Sequence, residues 1–106
     1  MEWYLYILDC DGRYYTGITT DLRRRLEEHR KGSSRGAKFT RAARSQALVY
    51  SVGIGERGLA LRAEARLKRL RRPRKAQVIC DAPARERLLG MLGLGDSQSE
   101  TVEVSP

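Results

Sequence analysis

Two short apolar runs separated by a turn sequence open the chain. Residues 3–8 (WYLYIL) and 13–19 (RYYTGIT) are rich in aromatic and β-branched residues, and each predicts a β-strand. The sequence DCDG at 9–12 ends in glycine and favours a turn, so the two strands are expected to form an antiparallel hairpin. Gly17 lies inside the second strand, where glycine is unfavourable unless another group approaches the backbone closely.

Strand alternation divides the tyrosines of this hairpin between two faces. One face of the first strand carries Tyr4, Tyr6 and Leu8, and the other carries Trp3, Leu5 and Ile7. Tyr6 and Tyr15 are expected to meet across the hairpin, with their phenols on the sheet face that receives the helices. Tyr4, Tyr14 and Tyr50 are expected to be core or surface aromatics.

Helical periodicity follows the hairpin. Residues 19–32 (TTDLRRRLEEHRKG) predict a helix that Thr20 or Asp21 caps and that Gly32 ends. Residues 57–72 predict a second helix, because leucines and alanines recur at helical spacing. Pro73 stops or kinks that helix and can open the next one.

The remaining segments complete the predicted fold. A polar connection at 33–45 leads to a third strand at 47–54, and residues 74–92 predict one or two further short helices. This order predicts the α/β (α+β) class: a small three-stranded antiparallel sheet flanked by helices. The expected organisation is a single domain at 1–94, followed by a flexible C-terminal tail at 95–106 that lacks periodicity.

The distribution of charged residues along the chain indicates the kind of partner that the protein binds. The formal net charge is +8, and residues 13–75 hold 19 of the 21 basic side chains but five of the 13 acids. A clustered basic field favours a polyanionic partner, most often nucleic acid, over the alternative of a solubilising surface. The two cysteines form no metal-ligand motif and are expected to be free thiols. No leader or membrane-spanning run is evident, so we expect a soluble cytoplasmic protein, associated with the nucleoid and not with a membrane.

Polar residues on or beside the apolar stripes of the two long helices are candidate functional residues. At about 100° per residue, Arg25 and His29 fall within about 60° of Leu22, whereas Arg23 and Arg24 face away. Taken alone, His29 is more typical of a packing histidine, whereas Arg25 fits equally well an arginine that extends past leucines to solvent. Glu64 lies on the shoulder of the second helix's stripe, and its alternative interpretation is an ion pair with Lys68 at i+4.

These residues together resemble the GIY-YIG nuclease superfamily. Tyr4-Leu5-Tyr6 stands where the family has Gly-Ile-Tyr, and Tyr15-Thr16-Gly17 stands for Tyr-Ile-Gly. Arg25 and His29 follow the second tyrosine by ten and fourteen residues, and Glu64 lies midway along the next long helix. The short chain and its GAKFTR segment resemble the small single-domain bacterial branch, which is similar to the catalytic subunit of the structure-specific Slx endonuclease.

The resemblance implies a metal-dependent DNA endonuclease that is structure-selective and linked to repair or recombination. It implies the catalytic residues Tyr6, Tyr15, Arg25, His29 and Glu64, with Glu64 as the ligand of Mg²⁺ or Mn²⁺. It implies a nucleic-acid-binding set comprising Gly17, Lys38, Thr40, Arg41, Lys68, Arg71 and Arg72. The implied partners are branched or damaged DNA and a protein that sets substrate choice.

One departure keeps a second interpretation open. The family usually carries an Asn late in the domain, and this sequence contains none, although Gln77 lies in that region. The alternative is therefore a non-catalytic basic nucleic-acid-binding module on the same fold. A protein-interaction domain with a basic surface has less support, because nothing besides charge favours it.

Overall fold

The hairpin at the start of the chain positions the site. A computed structural model describes residues 1–31 and 46–95 of the protein. Strands β1 (Trp3–Cys10) and β2 (Arg13–Thr19) pair antiparallel, as predicted. Asp11 and Gly12 join them with φ angles of 54° and 88°, the positive values that a two-residue hairpin turn requires. The carboxylate of Asp9 accepts a 2.7 Å hydrogen bond from the Gly12 N–H and stabilises this turn.

A third strand completes the sheet on the other side of β1. Strand β3 (Gln46–Gly55) pairs antiparallel with β1, so the described residues form a three-stranded sheet of order β2-β1-β3. This confirms the predicted antiparallel sheet. The central position of β1 explains why residues 5–8 are all buried. Tyr6 lies opposite Gly17 on one side and Ser51 on the other.

Four helices are found in the described ranges. They are α1 (Leu22–Lys31), α2 (Arg57–Arg69), α3 (Arg72–Asp81) and α4 (Arg85–Met91). Asp21 caps α1, because its carboxylate accepts a 3.1 Å hydrogen bond from the Arg24 N–H. Helix α2 ends three residues earlier than predicted, where Leu70 becomes extended, and Pro73 occupies the first turn of α3.

Helices cover both faces of the sheet, and each face has its own cluster of buried residues. On one face Leu22 and Leu26 of α1 pack against a cluster of three residues, which are Tyr6, Leu8 and Cys10. On the opposite face α2 and the following helices pack against a larger cluster that includes Leu5, Ile7, Tyr50, Ile54, Ala60, Ala63, Leu67, Val78 and Leu88. The prediction placed the tyrosines on the face that receives the helices. The structure shows instead that their face receives α1, while α2, which carries Glu64, packs on the other.

Some predicted features lie outside the described residues. They are the connection at 33–45 with Lys38, Thr40 and Arg41, and the tail from residue 96 onward. Within the described ranges the helices are too short or too polar to cross a lipid bilayer.

Candidate active site

The pairing of β1 with β2 brings two tyrosines and a glycine together. The rings of Tyr6 and Tyr15 lie 6.5 Å apart between centroids, with Tyr6 fully buried and Tyr15 half-buried. A Cβ added at Gly17 would lie 2.5 Å from the Tyr6 hydroxyl oxygen, which is far inside van der Waals contact. The close approach that a glycine in this strand indicates is therefore made by the protein's own Tyr6 side chain. The predicted contact of Gly17 with nucleic acid stays a prediction.

Helix α1 adds an arginine and a histidine to this tyrosine pair. The Tyr6 hydroxyl lies 3.1 Å from His29 Nε2 and accepts a 3.3 Å hydrogen bond from Arg25 Nε. The ring of Tyr15 meets the His29 ring edge-on at 5.1 Å between centroids. His29 is fully buried and Arg25 is half-buried, which confirms the side of the helix on which the periodicity placed them.

Burial shifts the protonation equilibria of this cluster. It raises the pKa of Tyr6 above its usual range; the Arg25 hydrogen bond opposes that rise, and Coulombic repulsion from Tyr15, when that phenol ionises, and from Glu64 adds to it. Burial also lowers the pKa of His29, and the positive charge of Arg25 lowers it further. At neutral pH the site therefore holds a protonated phenol beside a neutral imidazole.

Arg25 has a second partner that the sequence analysis did not single out. Its Nη1 donates a 3.3 Å hydrogen bond to Glu28 Oε1, one helical turn along α1. These bonds to Tyr6 and Glu28 raise the pKa of Arg25 although burial alone would lower it. The i,i+3 spacing of Arg25 and Glu28 is the sequence signal for this pair, although Glu28 lies outside the apolar stripe that Leu22 and Leu26 define.

Glu64 lies on α2, the helix that packs on the other face of the sheet. Its half-buried carboxylate lies 3.4 Å from Lys68 Nζ, so the predicted i+4 ion pair is present. Its charge nevertheless contributes to the raised pKa of Tyr6. The structure thus gathers Tyr6, Tyr15, Arg25 and His29 into one cluster, and the charge of Glu64 acts on Tyr6.

The basic side chains of α2 and α3 divide into two kinds. Lys68, Arg71 and Arg72 are exposed, and the Arg72 guanidinium lies 4.4 Å over the Tyr14 ring. Arg66 instead donates a 2.9 Å hydrogen bond to the Leu92 carbonyl, beyond the end of α4. Arg66 is also exposed, but its hydrogen bond ties α2 to the chain beyond α4, whereas the described contacts of the other three lie at the surface.

The arrangement of these positions agrees with the comparison to protein families. The GIY-YIG catalytic domain matches residues 2–77, which is well over half of the chain and includes all five candidate catalytic residues. The chain belongs to the GIY-YIG family. Because this is a nuclease family, the domain implies phosphodiester chemistry on DNA, and the predicted resemblance is confirmed.

The relatives of this GIY-YIG domain are small bacterial proteins. The chain is 47% identical over 79 residues to a UPF0213 protein of Streptococcus pneumoniae, which covers 74% of this chain and 78% of the relative. It is 38% identical over 99 residues to the UPF0213 protein YhbQ of Escherichia coli K12, covering 92% and 97% respectively. A solution NMR structure of the UPF0213 protein BH0048 from Bacillus halodurans is 41% identical, covers 76% of this chain and 84% of that one, and has a TM-score of 0.49.

The candidate metal ligand in this GIY-YIG domain is a carboxylate oxygen. Among the described residues no three His, Cys, Asp or Glu side chains gather into a metal-binding group. A single half-buried carboxylate, Glu64, suits a hard cation of the Mg²⁺ type that completes its coordination with water and phosphate oxygens. The residues present therefore fit a metal site that the substrate helps to form.

Gln77, at the end of the matched region, is engaged locally. Its side-chain amide donates a 3.0 Å hydrogen bond to Asp81 Oδ1 on the exposed surface of α3. This places Gln77 in a pair on its own helix, one turn from Asp81.

Proposed function

We propose that this protein is a metal-dependent endonuclease that hydrolyses phosphodiesters in branched or damaged DNA, in repair or recombination. The observation that carries the proposal is the position of the Tyr6 hydroxyl between Arg25 Nε and His29 Nε2, at 3.3 and 3.1 Å. A buried phenol between a cation and a neutral imidazole is arranged to lose its proton when a positive charge or an acceptor assists.

In this proposal Tyr6 is the general base and His29 receives its proton. With the His29 proton on Nδ1, the Tyr6 hydroxyl donates to Nε2, and Arg25 Nε stabilises the phenolate as it forms. Water gives a proton to the Tyr6 phenolate while its oxygen attacks phosphorus and the phosphodiester P–O bond breaks. The leaving oxygen takes up a proton from solvent, and His29 releases to solvent the proton that it received from Tyr6. The coupling matters because burial keeps Tyr6 protonated at neutral pH.

Arg25 and Tyr15 are the groups proposed to hold the scissile phosphate. A guanidinium can bind phosphate oxygens in a fork and neutralise charge that develops in the transition state. The Tyr15 ring, edge-on to His29, places a second phenol beside Tyr6. Gly17 is proposed to contribute by admitting Tyr6 to this position.

Glu64 is the proposed ligand of Mg²⁺ or Mn²⁺. When bound, such an ion supplies positive charge that stabilises the phosphoryl transition state and lowers the pKa of bound water. Glu64 has the hard oxygen ligand this needs, and Lys68 offers an exchangeable ion-pair partner in its absence.

Substrate choice is proposed to depend on DNA shape and backbone. Lys68, Arg71 and Arg72 offer an exposed basic surface of the kind that contacts phosphates without reading sequence. Lys38, Thr40 and Arg41 are proposed to hold a flanking phosphate. A protein partner that selects the substrate remains part of the proposal.

The test is cleavage of labelled branched, flapped and duplex DNA with Mg²⁺ or Mn²⁺. Glu64→Gln and Arg25→Ala are expected to reduce the rate at least about 100-fold, because each removes charge stabilisation of the transition state. Glu86→Gln is the matched control, since it neutralises a carboxylate that is 83% exposed and pairs with Arg85 on α4. Equal cleavage by Glu64→Gln and the control would reject the assignment.

The alternative of a non-catalytic binding module is supported by the absence of asparagine from the sequence. The pairing of Gln77 with Asp81 gives no indication that Gln77 replaces it. This alternative predicts salt-sensitive DNA binding and no metal-dependent cleavage of any substrate in the panel. Turnover that disappears in Glu64→Gln would eliminate it.

A further inference from the structure

Glu28 lies at a point where two guanidinium groups of α1 meet. Its Oε1 accepts a hydrogen bond from Arg25 Nη1 at 3.3 Å, and its Oε2 lies 3.9 Å from Arg24 Nε. Its side chain is 38% exposed, whereas that of the neighbouring Glu27 is 52% exposed. A carboxylate in the second half of a helix is unfavourable to the helix dipole, so its ion pairs must offset that effect.

The orientation of the Arg25 guanidinium depends on contacts at both of its ends. An arginine side chain has considerable rotamer freedom, and each hydrogen bond to its planar group restricts that freedom. The structure holds Nε on the Tyr6 hydroxyl and Nη1 on the Glu28 carboxylate. Loss of the Glu28 contact would remove the hydrogen bond at Nη1 and weaken the restraint that keeps Nε on Tyr6.

We infer that Glu28 is a positioning residue, which fixes the Arg25 guanidinium so that its Nε stays on the Tyr6 hydroxyl. Its consequence for cleavage rests on the proposed endonuclease function. The described contacts link Glu28 to Tyr6 through Arg25, so Glu28 acts through that arginine. Its negative charge also opposes the lowering of the pKa of His29. Among the described residues, Arg25 and His29 from α1, Tyr15 from β2 and the charge of Glu64 from α2 act on Tyr6.

The chain offers a matched control in the preceding residue. Glu27 is the same residue type on the same helix, and it pairs with Arg30 at 3.8 Å, away from Tyr6. Glu27→Ala and Glu28→Ala remove the same charge from the same basic protein. Both are expected to bind DNA at least as tightly as the wild type, since each removes a repulsion from phosphate.

The kinetic test compares Glu28→Ala, Glu28→Gln and Glu27→Ala well below their melting temperatures. Glu28→Ala is expected to lower kcat by about 10- to 100-fold with little change in KM, because a displaced Arg25 affects the transition state most. Glu28→Gln should recover much of that loss, since its amide oxygen still accepts from Nη1. Glu27→Ala should keep the wild-type kcat. A Glu28→Ala rate equal to that of Glu27→Ala would overturn the inference.

A second measurement separates this inference from the proposed function. The Nε–H signal of Arg25 in ¹⁵N NMR spectra, without DNA, is expected to show slow solvent exchange in the wild type, Glu28→Gln and Glu27→Ala. Fast exchange is expected in Glu28→Ala. An unchanged Arg25 signal in Glu28→Ala would overturn the positioning role even if the protein cuts DNA. A wild type that cuts no substrate would reject the function, while this signal would still decide the role of Glu28.

Discussion

At the scale of single residues, Tyr6 is the position on which the other contacts depend. Its ring fills the space above Gly17, and its hydroxyl joins two side chains from α1. This hydroxyl is buried in the sheet face, so its partners are fixed by packing and not by solvent. Small changes beside Tyr6 are therefore expected to affect the site as a whole.

Gly17→Ala tests this dependence directly. The new Cβ would lie 2.5 Å from the Tyr6 hydroxyl oxygen, so Tyr6 must move away from His29 and Arg25. We expect a loss of about 1–3 kcal/mol in the free energy of unfolding, together with a loss of cleavage. Gly90→Ala in α4 is the control, because nothing lies within 4 Å of its added Cβ. Thermal unfolding should show Gly90→Ala more stable by about 0.5–1 kcal/mol, and a Gly17→Ala as stable as wild type would contradict the packing argument.

The lowered pKa of His29 predicts how stability and cleavage depend on pH in the acid range. Its pKa is lowered by burial and by Arg25, so it stays neutral to a lower pH than an ordinary histidine near ~6.5. Stability and cleavage linked to His29 are thus present above pH ~6.5 and are lost as pH falls through the lowered pKa. Because His29 is the only histidine in the sequence, one NMR titration of its ring reports it unambiguously. A midpoint at or above pH ~6.5 would contradict the prediction.

At the scale of elements, α1 and α2 perform different tasks although both are rich in arginine. Helix α1 brings Arg25 and His29 to the Tyr6 face, and Asp21 fixes where it begins. Periodicity predicted the inward side of α1 because Leu22 and Leu26 define it. The hydrogen bond by which Arg66 of α2 holds the segment after α4 was not predictable, because its acceptor is a carbonyl 26 residues away.

Arg66 and Arg71 provide a test of this division. Arg66→Ala removes the hydrogen bond to the Leu92 carbonyl and is expected to lower the free energy of unfolding by about 1–2 kcal/mol. Arg71→Ala, at an exposed site, is expected to leave stability nearly unchanged. In DNA-binding titrations Arg71→Ala should reduce the slope of log K against log salt by about 1, and Arg66→Ala should not. The reverse pattern would contradict the assignment.

At the scale of the whole molecule, the sheet is held between helices on both faces. Tyr50 links the sheet to the helices of the larger cluster. This β3 residue donates a 2.6 Å hydrogen bond to the Pro83 carbonyl, which lies between α3 and α4. Burial raises the pKa of Tyr50 to about 12. This side chain is 5% exposed, so its ionisation is coupled to unfolding of the cluster.

Alkaline unfolding tests the role of Tyr50. Since its folded pKa is above the unfolded value of ~10, its contribution is fully present below pH ~10 and is lost as pH rises toward about 12. We expect the wild type to lose about 2 kcal/mol more stability over this range than Tyr50→Phe. Tyr4→Phe, which removes a half-buried phenol, is the control for general alkaline effects. Denaturant midpoints at a series of pH values measure the difference, and parallel curves for all three proteins would argue against it.

The sequence by itself determined the element order, the side of α1 that faces inward and the family to which the chain belongs. These properties follow from local periodicity and from the spacing of a few residues along the chain. Only the tertiary structure decided that the helices lie on both sides of the sheet and that Tyr6 is the group approaching Gly17. It also decided that Glu28 holds the far end of Arg25. These features depend on how helices and strands pack against one another. Local sequence patterns do not specify that packing.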